Sequence, residues 1–195
     1  YVSGASKSPS LSNANNINFA NAGILFTSET NSSTFEWRTT NGSNLSNNLV
    51  IGYSTVNDDR DPIGNNFPRV RINDGANGRI TFGSEAFSTG NILNQKLFNV
   101  TNNFEIQSGA HNFTIGGSFE HFDVRNVFVR QNFGQYQFLS LSDFNTYFDN
   151  DPTNDVTPDA YDYSYSLLDP AGSTGDDITA AAAAFKYSML GFYLQ

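Results

Sequence analysis

Residues 103–122, NFEIQSGAHNFTIGGSFEHF, place apolar side chains at every second position, pause at Ser108, Gly109 and Ala110, and resume at every second position. Successive side chains of a strand point to opposite sides, so this pattern describes two strand arms, each with a greasy face and a polar face. A two-residue turn at Gly109 and Ala110 pairs Ile106 with Phe113 and Phe104 with Ile115, which keeps the greasy faces together. The first arm then sets Phe98, Val100, Phe104 and Ile106 against Asn99, Thr101, Asn103 and Glu105. The second sets Phe113, Ile115, Gly117 and Phe119 against Thr114, Gly116, Ser118 and Glu120. Such a hairpin requires either a protein core or lipid on its apolar side.

The rest of the chain is built from the same material. Phe occurs 18 times and Tyr 9 times in 195 residues, beside abundant Asn, Ser, Thr and Gly. Aromatic and β-branched residues suit pleated strands, and Asn, Gly and Ser suit turns, so the expected class is all-β. Residues 1–20 are polar and read as a loop or lead-in. Strands are expected at GILFTSET (residues 23–30) and STFEWRTT (residues 33–40), separated by Asn31 and Ser32, and again at NLVIGYSTVND (residues 48–58). Two long segments follow, at about residues 58–95 and 127–184, with the central hairpin between them. The first long segment contains two short strand-like pieces, FPRVRI and RITFGS. The tail AFKYSMLGFYLQ alternates once more. Beyond the first link, short turns alternate with long excursions, as they do in outer-membrane barrels.

Three features favour lipid over a core. The polar face of the hairpin suits a wet lumen, and the apolar runs match the roughly 9–11 residues of a tilted strand crossing a bilayer. Trp37 and Tyr53 lie near the expected strand ends, where interfacial aromatics gather. The run ITAAAAAFKYSMLGFYL is near the lower limit for a helical span, but Lys186, Ser188, Gly191 and its period-two ending argue against one. No signal peptide is visible at the start, and both ends read as points inside a longer protein.

Several chemistries find no support. There is no Cys, which excludes disulfides, thiolate metal sites and a cysteine nucleophile, and the net charge of −9 argues against nucleic acid. His111 and His121 are too few for a typical catalytic metal site. GSTGDD lacks the lysine of a phosphate loop, and GGS lacks dinucleotide spacing. No catalytic residue is assigned and no enzyme is expected. Asn-X-Ser/Thr triplets such as Asn99-Val100-Thr101 and Asn112-Phe113-Thr114 fall inside strands, where polar residues recur at spacing two anyway.

Two groups of residues remain as binding candidates. Arg69 and Arg71 share one strand face, opposite Val70 and Ile72, and could meet an anionic solute or pair with acids such as Asp74. Arg125 and Arg130 flank NVFV in the same way. In the acidic second segment, DNDPTND gathers Asp149, Asp151, Asn154 and Asp155, oxygen donors of the kind calcium takes. The alternative there is a solvated acidic loop, because the spacing departs from an EF-hand and Pro152 interrupts it.

The ordered series FPRVRINDG, ITFGSEAFSTGN, TNNFEIQSGAHNFTIGGSFEHF, NVFVRQNFGQYQFLSLSDF and LGFYLQ resembles TonB-dependent outer-membrane receptors, specifically the Oar-like type with a carboxypeptidase-regulatory-like domain. The likeness runs over about residues 47–195. It implies a closed antiparallel transmembrane β-barrel of roughly 22 strands with a plugged lumen, of which this chain supplies about six strands and long extracellular loops. It further implies the outer membrane of a Gram-negative bacterium, lipid and TonB as partners, a plug domain in the full-length chain, and active uptake of a large or scarce solute. The residues themselves leave open a secreted soluble β-rich adhesin or glycan-binding module, or a passive channel.

Overall fold

A computed structural model describes residues 1–154, 156–164 and 178–195. The chain is all-β, with two sheets of different character. Its elements are β1 (Val2–Ser8), β2 (Asn16–Asn18), β3 (Ile24–Asn41), β4 (Leu45–Pro62), β5 (Arg69–Asp74), β6 (Gly78–Phe82), β7 (Asn91–Ser108), β8 (His111–Phe128), β9 (Gln135–Phe138), α1 (Leu141–Tyr147), β10 (Ala160–Asp162) and β11 (Ala183–Leu194).

The large sheet runs β1-β3-β4-β7-β8-β11, entirely antiparallel and in chain order. Its four central strands each have 18 residues. The central hairpin has the register expected from its sequence: Ile106 opposes Phe113, Phe104 opposes Ile115, Glu105 opposes Thr114 and Asn99 opposes Glu120. Gly109 turns it with φ +65°, whereas Ala110 does not adopt positive φ. That is the type II′ pattern, which places glycine at the first central position of a two-residue hairpin loop.

Three expectations are corrected. Asn31 and Ser32 do not interrupt a strand; they pair with Thr55 and Ser54 inside the continuous β3–β4 ladder. Polar side chains are tolerated there because the neighbouring strand runs unbroken opposite them. Residues 1–20 are not wholly loop, since Val2–Ser8 forms the edge strand β1 against residues 24–30. Its composition is polar on both faces, which erases the alternation that would reveal it. Tyr53 is not near a strand end but midway along β4, because β4 continues to Pro62.

The connections sort by length. Residues 42–44 and 109–110 are tight turns at one end of the large sheet, and residues 9–23, 63–90 and 129–182 are excursions at the other. The small sheet, β10-β9-β5-β6-β2, is assembled from all three excursions. It mixes antiparallel pairs with two parallel ones, β2 with β6 and β5 with β9. Its apolar face buries Val70, Ile72 and Phe138 with Ile80, Phe82, Tyr136 and Phe144. The last of these comes from α1, whose N-cap Ser140 accepts a hydrogen bond from the Asp143 N–H at 3.0 Å. A serine followed three residues later by an acid is the local signal for that helix start. A second cluster, Val127, Val129 and Ile178, closes the foot of the third excursion, beside a 3-10 turn at Thr179–Ala181. No helix among the described residues is long and apolar enough to cross a membrane.

Candidate functional site

The register of the large sheet lays its side chains out in rows. On one face, Phe35, Ile51, Val100, Phe119 and Leu190 form a row; Trp37, Leu49, Asn102, Gly117 and Phe192 form the next. Neighbouring rows add Phe104, Ile115 and Leu194, then Leu45, Ile106 and Phe113, with Tyr53 and Phe98 at the opposite limit. All the residues expected on the apolar side of the hairpin lie on this face. Many are bare: Phe192 is 80% exposed, Leu190 68% and Phe35 58%. Among the described residues, no element packs over this face in these rows.

Charge is segregated by face within the same rows. Glu36, Arg38, Glu105 and Glu120 all point to the opposite side. There Arg38 pairs with Glu36 at 2.6 Å, and the Ser46 hydroxyl donates to Glu105 at 3.0 Å. The Tyr193 ring lies over Gly116, occupying the space a Cβ would need, and its hydroxyl donates to the Asn103 side chain. The apolar face meets its first charges one row beyond Tyr53 and Phe98, at Lys96, Asp123 and Lys186, with Lys186 and Asp123 paired at 2.9 Å. From residue 45 to residue 53 of β4 the uncharged band is roughly 27 Å long at about 3.4 Å per residue.

His121 sits at the edge of this band, and its Nδ1 lies 2.8 Å from the Ser188 hydroxyl. This cross-strand contact is invisible in the sequence. Asp123, two residues on, pairs with Lys186, and among the described residues no carboxylate hydrogen-bonds the imidazole.

The arginine candidates separate. Arg125 reaches the Thr179 carbonyl at 3.4 Å, and Arg130 stacks 4.8 Å from the Phe87 ring centroid. Arg69 and Arg71 do share a face of β5, with Val70 and Ile72 buried behind them. Asp74 is not their partner; it opposes Gly78 at the turn. Burial pushes both guanidiniums below their ordinary value. For Arg69, Glu85 opposes that shift; for Arg71, repulsion from Arg79 and Arg69 adds to it. Arg79 was not singled out from sequence. Its signal was the turn in RINDGANGRITF, which brings residues on either side into register, Asn73 opposite Arg79.

The acidic candidates form a self-bonded turn. Asp149 accepts from the Asp151 N–H at 2.8 Å and from the Asn154 amide at 3.1 Å. Asp151 accepts from the Thr153 hydroxyl at 2.7 Å and its N–H at 3.0 Å, which holds its carboxyl below the usual range. Asp155 lies outside the described residues. Comparison with known protein families, curated proteins and solved structures finds no match to the chain.

Proposed function

We propose that the large sheet is part of the wall of an outer-membrane β-barrel, in an active transporter of the TonB-dependent type. One observation supports the barrel wall above all others. In rows where one face carries Glu36, Arg38, Glu105 and Glu120, the other carries no acid, Lys or Arg, has His121 only at its edge, and has no covering layer among the described residues. A water-facing sheet has no reason to sort its charges so completely, whereas a lipid-facing one does, because charges at mid-bilayer cost about 2–4 kcal/mol on a barrel surface. At the roughly 35–45° strand tilt of such barrels the band spans about 20 Å of membrane depth, close to their roughly 25 Å apolar belt. Tight turns at one end and long excursions at the other match the periplasmic and outer sides respectively. The transporter class follows from the motif resemblance, and the solute enters from the side of the small sheet.

The single Trp of the chain offers a direct test. Trp37 is 56% exposed in the middle of the band. In reconstituted bilayers its fluorescence should be quenched by lipids brominated along the acyl chain and shielded from acrylamide. Residues 1–195 kept free of detergent and lipid should aggregate, since the apolar face and both sheet edges lack partners. A monodisperse monomer in water with a cooperative melt and acrylamide-accessible Trp37 would replace this reading with a soluble β-module. Uptake by the full-length protein should stop when TonB is deleted; persistence would mean a passive channel.

A further inference from the structure

The small sheet also has two dissimilar faces. Behind its apolar core, the register sets Arg69 beside Gln135, Arg71 between Thr81 and Gln137, and Arg79 opposite Asn73. Successive rows on one strand face are two residues, or about 6.8 Å, apart. Three rows therefore carry one guanidinium each, over roughly 14 Å. In a chain with 10 basic residues and a net charge of −9, such a concentration needs a reason.

The sheet itself forms no ion pair with them, although Asp162 of β10 lies on the same face in the Arg69 row and partly offsets the charge of Arg71. Among the described residues, the ion pairs are Arg38 with Glu36 and Lys186 with Asp123, both on the large sheet. The nearby carboxylates attract them through space, Glu85 acting on Arg69 and Asp162 on Arg71, but accept their hydrogen bonds from other groups. Asp162 accepts from the Gln135 amide at 3.3 Å, Asp159 accepts from the Gln137 amide at 3.2 Å, and Glu85 caps the Phe87 and Ser88 N–H groups. Among the described residues the Arg69 Nε is buried with no acceptor, an arrangement that destabilises a fold unless something fills it. Cations held near one another, with an unused buried donor among them, are stabilised by an incoming anion.

We propose that this face binds a small polyvalent oxyanion whose carboxylate or phosphate groups are spaced to engage successive rows. The planar guanidinium fork fits either group with two parallel hydrogen bonds. The face belongs to the excursions, so its ligand does not depend on what covers the large sheet.

The intact protein, purified in detergent micelles, is titrated calorimetrically with citrate and, separately, with tripolyphosphate. Saturable binding of at least one is expected, weakening as salt rises because the exposed part of the face is screened. The two arms separate carboxylate from phosphate recognition. Arg79→Gln changes an exposed side chain and should weaken binding about tenfold or more, the loss expected for one charge-assisted hydrogen-bonded contact. Arg71→Gln should do the same and Arg71→Lys should fall between, since lysine keeps the charge but not the fork. Arg38→Gln, on the large sheet, should bind as the parent does. Circular dichroism confirms that each variant is folded. No saturable binding of either anion, or equal affinity in Arg79→Gln and the parent, overturns the proposal. Lost anion binding with Trp37 still quenched by lipid refutes this site alone; the reverse result refutes only the membrane reading.

Discussion

Phe192 and Phe138 are both aromatic residues on strands, yet one is 80% exposed and the other 1%. Phe192 belongs to the large sheet, where a continuous apolar face spreads over five strands without a covering layer. Phe138 belongs to the small sheet, where α1 folds back and Phe144 meets its ring edge-on at 5.4 Å. The small sheet is thus organised as a water-soluble structure, with a second layer over its greasy side. The large sheet has no such layer, and its apolar side chains are sorted from charges instead. On the barrel reading proposed above, the same alternation in sequence serves two solvents, and the presence or absence of a covering element tells them apart.

If the two regions obey these different rules, truncation should hurt most where there is a core. Phe138→Ala should destabilise the small sheet by about 3–5 kcal/mol, the usual loss for a buried phenylalanine, whereas Phe192→Ala should change stability far less. Proteolysis of the excursions during denaturant titration of the reconstituted protein would report both. Equal losses would mean that Phe192 is packed against protein after all.

A charge should reverse the ranking of faces. Phe104→Arg or Ile115→Arg should cost about 2–4 kcal/mol when unfolding is measured in bilayers, and Asn103→Arg or Ser118→Arg much less. Similar costs on both faces would remove the distinction between lipid and lumen sides.

Close packing on the polar face should be felt next. Gly116→Ala places a methyl group where the Tyr193 ring lies, which should cost about 1–3 kcal/mol through overpacking and break the bond to Asn103. Tyr193→Ala combined with Gly116→Ala should remove most of the extra penalty, and a double-mutant cycle measures it.

The smallest effect belongs to the acidic turn. Thr153→Val removes the hydroxyl donor to Asp151, so the Asp151 carboxyl should titrate closer to its ordinary value, as followed by carbon-detected NMR. A carboxyl held below that value favours the turn at higher pH. The turn should lose that contribution as pH falls through the lowered value. An unchanged titration midpoint would mean that the hydroxyl contact does not persist in solution.

How much of this was legible depended on whether a pattern had contrast. The central hairpin could be registered residue by residue because Phe104, Ile106, Phe113 and Ile115 alternate with strongly polar neighbours. Strand β1 could not, because Val2–Ser8 has no greasy face to reveal its period. The outer halves of β4 and β7 were hidden for a related reason. Beyond Tyr53 and Phe98 the apolar face gives way to Thr55, Lys96 and Asn57, so the strands continue after their signal has ended. The core strands FPRVRI and RITFGS were visible as short pieces. Their parallel neighbours β2 and β9 lie far away in sequence, and no local pattern announces such pairings. Arg69 and Arg71 were found because they flank buried residues on one strand; Arg79 needed the turn geometry that joins it to them.

The strand order of the large sheet also bears on how the molecule assembles. Its hairpins β3–β4 and β7–β8 can close locally, an event of about 1–10 μs for an isolated pair, whereas β4–β7 and β8–β11 must bridge the long excursions. No strand has to be threaded between two already placed. The small sheet has one local hairpin, β5–β6, and two distant pairings. Residues 16–18 must find residues 79–81, and residues 69–72 must find residues 135–138, before their pairings form. Contacts that distant are slow to close, because loop entropy is lost before any contact rewards it. The arginine-bearing hairpin β5–β6 closes locally at residues 74–78, and what must wait for distant contacts is its joining to β2 and β9. A protein stalled midway should show the hairpins β3–β4, β5–β6 and β7–β8 in register before the distant pairings that join them.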